Sequence, residues 1–391
     1  MTSETTVAEA LMNGKLDEAR QRLQNGEPLS GQYAENNKSS IINSIFRAKA
    51  FDLIDPLIGN GLIQTDIYEY DDFDRSVFSN IARNLKTDEA SLTFLRGFLK
   101  KVQNKKDEVR GMTVLQYCME EGADPVLLQC LIEEGCDVQH KSNADMNMLH
   151  HVANKGMLDE EKGKTYIGLF LSNGVDVNQR NVVGTTPLML AIQRGKKNYL
   201  DLLLANGADP NEQDNKGNSA FYYAVVEQQN KAVYDILKKY ASPDFDSANR
   251  DGEYLLTAYL RMSGGSELLL QMLEDGASIY QASPYYNQPK SGIDWLAERG
   301  AETIKALLVT GAIGIDRQDD QGNTFLHKVC GYNVNYSESA AKSTYQKVKL
   351  LLEAGADASI VNDQEETPMM LAAKDNLKVK TVELLMQHKN N

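Results

Sequence analysis

Histidine and cysteine, the side chains most often recruited for catalysis and metal binding, are scarce and scattered in this sequence. The five histidines are His140, His150, His151, His327 and His388. His150 and His151 are adjacent, so on a helix they point in different directions and do not make a metal site. Cys118, Cys130, Cys136 and Cys330 form no CxxC pair, the pattern of small buried thiols in a reducing compartment. Cys330 follows His327 by three residues, but no base or orienting group is identifiable beside it to make a nucleophile. No HExxH, GxSxG, Walker loop or kinase motif occurs. Gly264-Gly265, after Arg261-Met262-Ser263, lacks phosphate-loop spacing and reads as a loop between helices. The stretch from Asp66 to Asp74 carries five carboxylates and three aromatics. It has no central glycine for a calcium loop. It reads as a solvated acidic loop or as a patch for a basic, partly apolar partner. No catalytic, cofactor or metal site is expected.

Charge and tyrosine say more. Lysine and arginine total 41 against 55 aspartate and glutamate, a net charge of −14. That field disfavours nucleic acid and anionic membrane and favours a basic protein. Nine of the 18 tyrosines fall between residues 222 and 286. Tyr222 and Tyr240 fall where core residues are expected. Tyr285 and Tyr286, beside Pro284 and Pro289, suit packing or partner contact equally, because tyrosine offers large area with little rotamer loss. The N-terminal MTSETTVAEA shows no secretory signal, and no run reaches the ~18 apolar residues of a membrane helix. A cytosolic location follows as an expectation.

The elements that must position these residues recur. GADPN at 207–211, GVDVN at 174–178 and GAD at 355–357 each follow an apolar helical run. Gly135-Cys136-Asp137, Gly276-Ala277-Ser278 and Gly311-Ala312-Ile313 are related. A second phrase precedes those runs: Thr186-Pro187-Leu188-Met189, Thr324-Phe325-Leu326-His327 and Thr367-Pro368-Met369-Met370, with weaker forms at Thr113 and Asn147. Gly174 and Gly207 lie 33 residues apart, and Tyr240 stands 33 further on. In the unit 181–213, Thr186 can cap a first helix that starts at Pro187. Gly195 ends that helix, and Gly207 supplies the left-handed turn after a second.

These phrases and this period resemble the ankyrin repeat. The resemblance implies an all-α solenoid of stacked helix-turn-helix units joined by hairpin loops. About eleven units tile residues 1–391 as a single domain: divergent repeats over 1–106, central repeats over 107–361 and a capping repeat at 362–391. The unit at 69–106 carries neither phrase and is assigned by the space it fills. The histidine of the second phrase, His150 and His327 here, is expected to brace neighbouring hairpins. The resemblance also implies a protein partner on the concave face of hairpin tips and first helices. Carried over unit by unit, that face holds Val182, Val183, Gln193, Arg194, Asn215, Lys216, Glu227, Arg250, Asp251 and Arg261, then, beyond the irregular ninth unit, Asp320, Gln321 and Tyr332. Tyr285 and Tyr286 of that irregular unit join them as candidates for their residue type.

Three departures from the pattern are expected as loops. They are the longer connection around Met157–Thr165, the ten extra residues near Tyr332–Thr344, and residues 281–290 in place of an ordinary tip. The expected function is a monomeric, non-enzymatic binder of a basic protein, of the inhibitor or immunity type that neutralises a toxin or enzyme. A scaffold or a secreted effector engaging host proteins is the alternative, and Gln387–Asn391 would then belong to a longer tail.

Overall fold

One helix pair shows how the local chemistry builds the fold. Thr186 Oγ1 accepts the Met189 N–H at 3.3 Å, Pro187 fills the first position of helix Pro187–Gln193, and Leu188, Ala191 and Ile192 are buried. Gly195 takes a left-handed φ of 67°. Helix Lys197–Ala205 then returns, burying Tyr199, Leu200, Leu203 and Leu204, and Gly207 follows at φ 90°. A side-chain cap of this kind contributes about 1 kcal/mol. Thr113, Asn147, Ser219, Thr324 and Thr367 cap their first helices in the same way.

The computed structural model describes residues 6–29, 31–262, 264–311 and 313–389. Ser263, Ala312 and Asn390-Asn391, singled out above within longer phrases, lie outside the described residues, as do residues 1–5. The chain divides into two compact units, Met1–Ala208 and Asp209–Asn391. Among the described residues, the first unit holds helix pairs beginning at Val7, Lys38, Val77, Val114, Met148 and Pro187. The second holds pairs beginning at Ala220, Leu255, Gly292, Phe325 and Pro368. Each unit is all-α, built of stacked helix pairs, with one two-stranded ladder among the described residues at Ala282–Tyr285 and Gln288–Ser291.

The region without phrases also folds as helix pairs. Ser76 and Asp88 cap helices Val77–Asn84 and Glu89–Leu99. Phe78 meets Tyr70 and Phe73 at 5.6 Å and Phe98 at 6.0 Å between ring centres.

Two insertions expected as loops are largely helix instead. Asp159 caps the Lys162 N–H, so the residues before Thr165 lengthen helix Glu160–Ser172. Ser337 caps Ala340, so the extra residues from Glu338 onward become the first turns of Glu338–Glu353. A cap placed early moves the helix start outward rather than leaving a loop.

A helix end leaves carbonyls that need donors, and at five first helices a cation from the following repeat supplies one. In the first unit Lys155 Nζ reaches Glu120 O, and Lys196 Nζ reaches Gly156 O, just past helix Met148–Asn154, at 3.1 Å. In the second, Arg299 Nη2 donates to Leu260 O at 2.7 Å, Lys347 Nζ to Ala297 O at 2.6 Å, and Lys378 Nζ to Cys330 O at 2.8 Å. Positive charge there also meets the negative end of the helix dipole.

Candidate protein-binding surface

The hairpin tips share one construction. In five of them an Asn or Asp side-chain oxygen accepts the N–H groups two and four residues on, at 2.8–3.1 Å: Asn181, Asp214, Asn249, Asp319 and Asn362. This folds the tip tightly and leaves the two residues after the Asx side chain at its crest. Adjacent tips join through backbone bonds: Val182 N to Ala144 O in the first unit, and Arg250 N to Lys216 O and Asp363 N to Gln321 O in the second. Glycine makes this approach possible. A Cβ on Gly217 would lie 2.9 Å from Arg250 N, and one on Gly322 2.7 Å from Asp363 N, while both glycines have φ above 70°.

The expected surface residues therefore fall at defined places. Val182 and Val183, 53% and 57% exposed, form a tip of the first unit, and exposed Gln193 and Arg194 end the helix below it. Arg194 Nε is already held by Asn154 Oδ1 at 2.9 Å. In the second unit Asn215, Lys216, Arg250, Asp251, Asp320 and Gln321 are exposed at tips. Glu227 and Arg261 are exposed at the ends of first helices, and Arg261 pairs with Glu253 at 2.8 Å. Tyr332 is half-buried.

Two tyrosines expected in the core are placed differently. Tyr240 is 43% exposed and Tyr222 is half-buried, while Tyr223 is buried instead. Tyr240 stands two residues past the end of helix Lys231–Lys238. Tyr222 ends the single turn Ala220–Tyr222, and a π-turn, Tyr223–Glu227, follows it. The Tyr223 hydroxyl donates to the buried Asp214 carboxylate of the tip.

Residues 281–290 form a short antiparallel ladder pairing Ala282 with Ser291 and Tyr285 with Gln288. Pro284 faces Pro289 across it. A proline on each strand removes an edge N–H, so the hairpin offers side chains rather than a free strand edge to a partner. Ser283 anchors it by accepting the Tyr254 N–H at 3.0 Å. Tyr286 sits at the turn with φ 49° and is 91% exposed.

A cavity of about 610 Å³ opens between this hairpin, the first helices Gly292–Ala297 and Phe325–Gly331, and the last two tips. Its lysines are paired within the chain: Lys290 with Glu298, Lys328 with Asp294 at 2.8 Å and Asp319 at 2.7 Å, and Lys374 with Glu366 at 2.6 Å. Burial alone would lower the Lys328 pKa, but Asp294 and Asp319 hold it above the usual lysine range. The lining is polar, and among the described residues it pairs no nucleophile with a base.

His150 Nε2 meets Thr185 O at 2.9 Å and His327 Nε2 meets Glu366 O at 3.1 Å, so each braces the next hairpin as expected. Burial pushes both imidazoles below the usual histidine range. All four cysteines are free and buried, and burial pushes the Cys330 thiol up to about 12. Asp66 caps a short turn through Tyr68 N and accepts from Asn104 at 2.7 Å. No His, Cys, Asp and Glu grouping among the described residues could hold a metal, and no described helix is long and apolar enough to cross a membrane. The contact between Lys290 and the aromatic rings of Tyr285 and Trp295 is not readable from spacing alone, because it forms across the hairpin.

Residues 160–249 match a family of ankyrin repeats in three copies. No curated protein matches the chain. Among solved structures, the chain is similar to the ankyrin repeat domain of Bcl-3, described as a unique member of the IkappaB protein family. The identity is 24% and the TM-score 0.49, covering 62% of this chain and 98% of that one.

Proposed function

With ankyrin repeats across residues 160–249 as the premise, we propose that this chain is a non-enzymatic cytosolic module that binds a basic protein partner. We place the contact on hairpin tips and first helices, and assign the role of an inhibitor of the immunity type that masks a toxin or an enzyme. The observation that carries the reading is the tips themselves. Their backbones are locked by the same Asx bonds, yet the side chains at their crests differ: Val182-Val183, Asn215-Lys216, Arg250-Asp251 and Asp320-Gln321. A rigid frame lowers the entropy lost on binding. A different display at each step suits one partner rather than many. The net charge of −14 supports a basic partner and speeds encounter at low salt.

The test is capture of partners from native lysate, identification by mass spectrometry, and titration of the purified partner. Single alanine changes at Arg194, Arg261, Tyr285, Tyr286 and Tyr332 are then compared, with circular dichroism as the folding control. At least one is expected to weaken binding by about 30-fold, the usual loss at a true hot spot. Five variants with unchanged affinity would refute the surface. A captured enzyme that stays fully active in the complex would refute inhibition and favour a scaffold.

A further inference from the structure

Trp295 is the chain's single tryptophan. Its ring and that of Tyr285 stand edge to face, 4.8 Å apart at 78°. The Lys290 ammonium lies 3.8 Å from the centre of the Trp295 ring and 4.9 Å from that of Tyr285. The Glu298 carboxylate pairs with the same ammonium. Two aromatic rings and a carboxylate thus surround one cation, each attracting positive charge. The unusual hairpin creates the arrangement: it carries Tyr285 and Lys290, and helix Gly292–Ala297 directly after it carries Trp295.

The chain's own lysine is a poor fit for this site. An ammonium is compact and strongly hydrated, whereas a guanidinium is planar and weakly hydrated, stacks on rings and meets a carboxylate through two N–H groups. Lys290 is not sealed in: its side chain is 24% exposed and that of Glu298 37%, so solvent reaches the pair and an incoming cation has a path to it. The adjoining cavity includes Asp363 beside the lysine-paired Asp294 and Glu366, so a displaced ammonium stays among carboxylates. Tyr286 stands edge to face on Tyr285 at 4.7 Å and carries the aromatic wall out into solvent.

We propose that Tyr285, Trp295 and Glu298 form a receptor for an arginine guanidinium of the protein partner, with Lys290 as an internal stand-in that is displaced on binding. The proposal rests on the basic-partner reading and names the side chain that such a partner presents.

The single indole N–H resonance of Trp295 reports on the site directly. It would be followed by NMR at 150 mM salt while tetra-arginine, tetra-lysine or tetra-citrulline peptide is added. Tetra-arginine is expected to shift it saturably, tetra-lysine at least threefold more weakly, and tetra-citrulline not at all. Lys290→Gln, which removes the stand-in, is expected to tighten tetra-arginine binding about fivefold, and Glu298→Gln to weaken it about tenfold. Lys290→Met retains the aliphatic stem, so it separates loss of the charge from loss of hairpin packing. No indole shift with tetra-arginine in either Lys290 variant would overturn the proposal. So would equal responses to arginine and lysine peptides, or a response that Lys290→Gln leaves unchanged. Should such a result coincide with a captured basic partner whose binding depends on Arg261 or Tyr332, this site fails while the binding module stands.

Discussion

Lys347 is a charged side chain in an apolar place, and its removal has a calculable signature. It is 2% exposed, and its ammonium donates to Ala297 O at 2.6 Å beneath the Tyr332 ring, 5.2 Å from the ring centre. Burial lowers its pKa from 10.5 to about 8; Glu298 opposes that fall and Lys378 adds to it. Below pH 8 the lysine is charged in both the folded and the unfolded chain, and the full cost of burying charge is present. Between about 8 and 10.5 the unfolded chain binds a proton that the folded chain lacks, so stability rises with pH across that window. At about 1.4 kcal/mol per tenfold change in ionisation, the gain between pH 7 and pH 10 is about 2–3 kcal/mol. Lys347→Met removes the charge. It also strips Ala297 O of its donor, at a cost of about 1 kcal/mol that does not depend on pH. Tyrosine titration occurs in both proteins and cancels. Urea unfolding followed by far-ultraviolet circular dichroism, with amide exchange in helix Glu338–Glu353, gives both stabilities at each pH. The stability of wild type relative to Lys347→Met is expected to rise by about 2–3 kcal/mol from pH 7 to pH 10. A difference that stays constant to within about 0.5 kcal/mol would refute the buried-charge reasoning.

Further expectations concern the tips and the buried polar groups. Glu365 holds a left-handed φ of 58° at the tip position that Gly184, Gly217, Gly252 and Gly322 fill elsewhere, so Glu365→Gly should stabilise by about 1 kcal/mol in thermal or urea melts. Burial lowers the His151 pKa to about 4, with His150 and His140 adding to the fall, while Gln116 contacts its ring and Glu120 lies 3.8 Å away. The unfolded chain therefore takes up a proton first, and stability is lost as pH falls from 6.5 toward 4; His151→Gln should flatten that loss by about 2–3 kcal/mol in melts at the two pH values. All four cysteines are buried, so a thiol-specific reagent should label none in the native protein and all four in denaturant. Fast native labelling of Cys330 would contradict its raised pKa.

How far the fold could be read depended on where local chemistry was distinctive. Thr186-Pro187 and Gly207 announce a helix start and a helix end because a cap and a left-handed turn each demand particular residues. The pair at Lys38–Ala48 and Ile54–Gly59 lacks both phrases, yet buried Ile41, Ile42, Ile45 and Phe46 still set its stripe. Periodicity shows that such a helix exists but not which repeat it belongs to. The insertions misled because Asp159 and Ser337 resemble ordinary loop residues until they are seen capping a helix. The π-turn Tyr223–Glu227 is not legible in the sequence, because propensity carries no signal for one extra residue in a turn. Tip positions followed from register. The ion pairs that already hold Arg261 and Lys328 did not, since Glu253, Asp294 and Asp319 reach them only after the helices pack.

The cations that close five of the first helices all reach back from the following repeat. In the second unit the acceptors Leu260, Ala297 and Cys330 always precede their donors Arg299, Lys347 and Lys378 by 39 to 50 residues. A cut between acceptor and donor leaves both halves of the bond to water. The N-terminal piece keeps a frayed helix end, and the C-terminal piece keeps a cation that regains its hydration. For Lys347 that relieves the burial that lowers its pKa. A fragment beginning after Ala297 is thus expected to lose the rise in stability with pH that marks the intact chain.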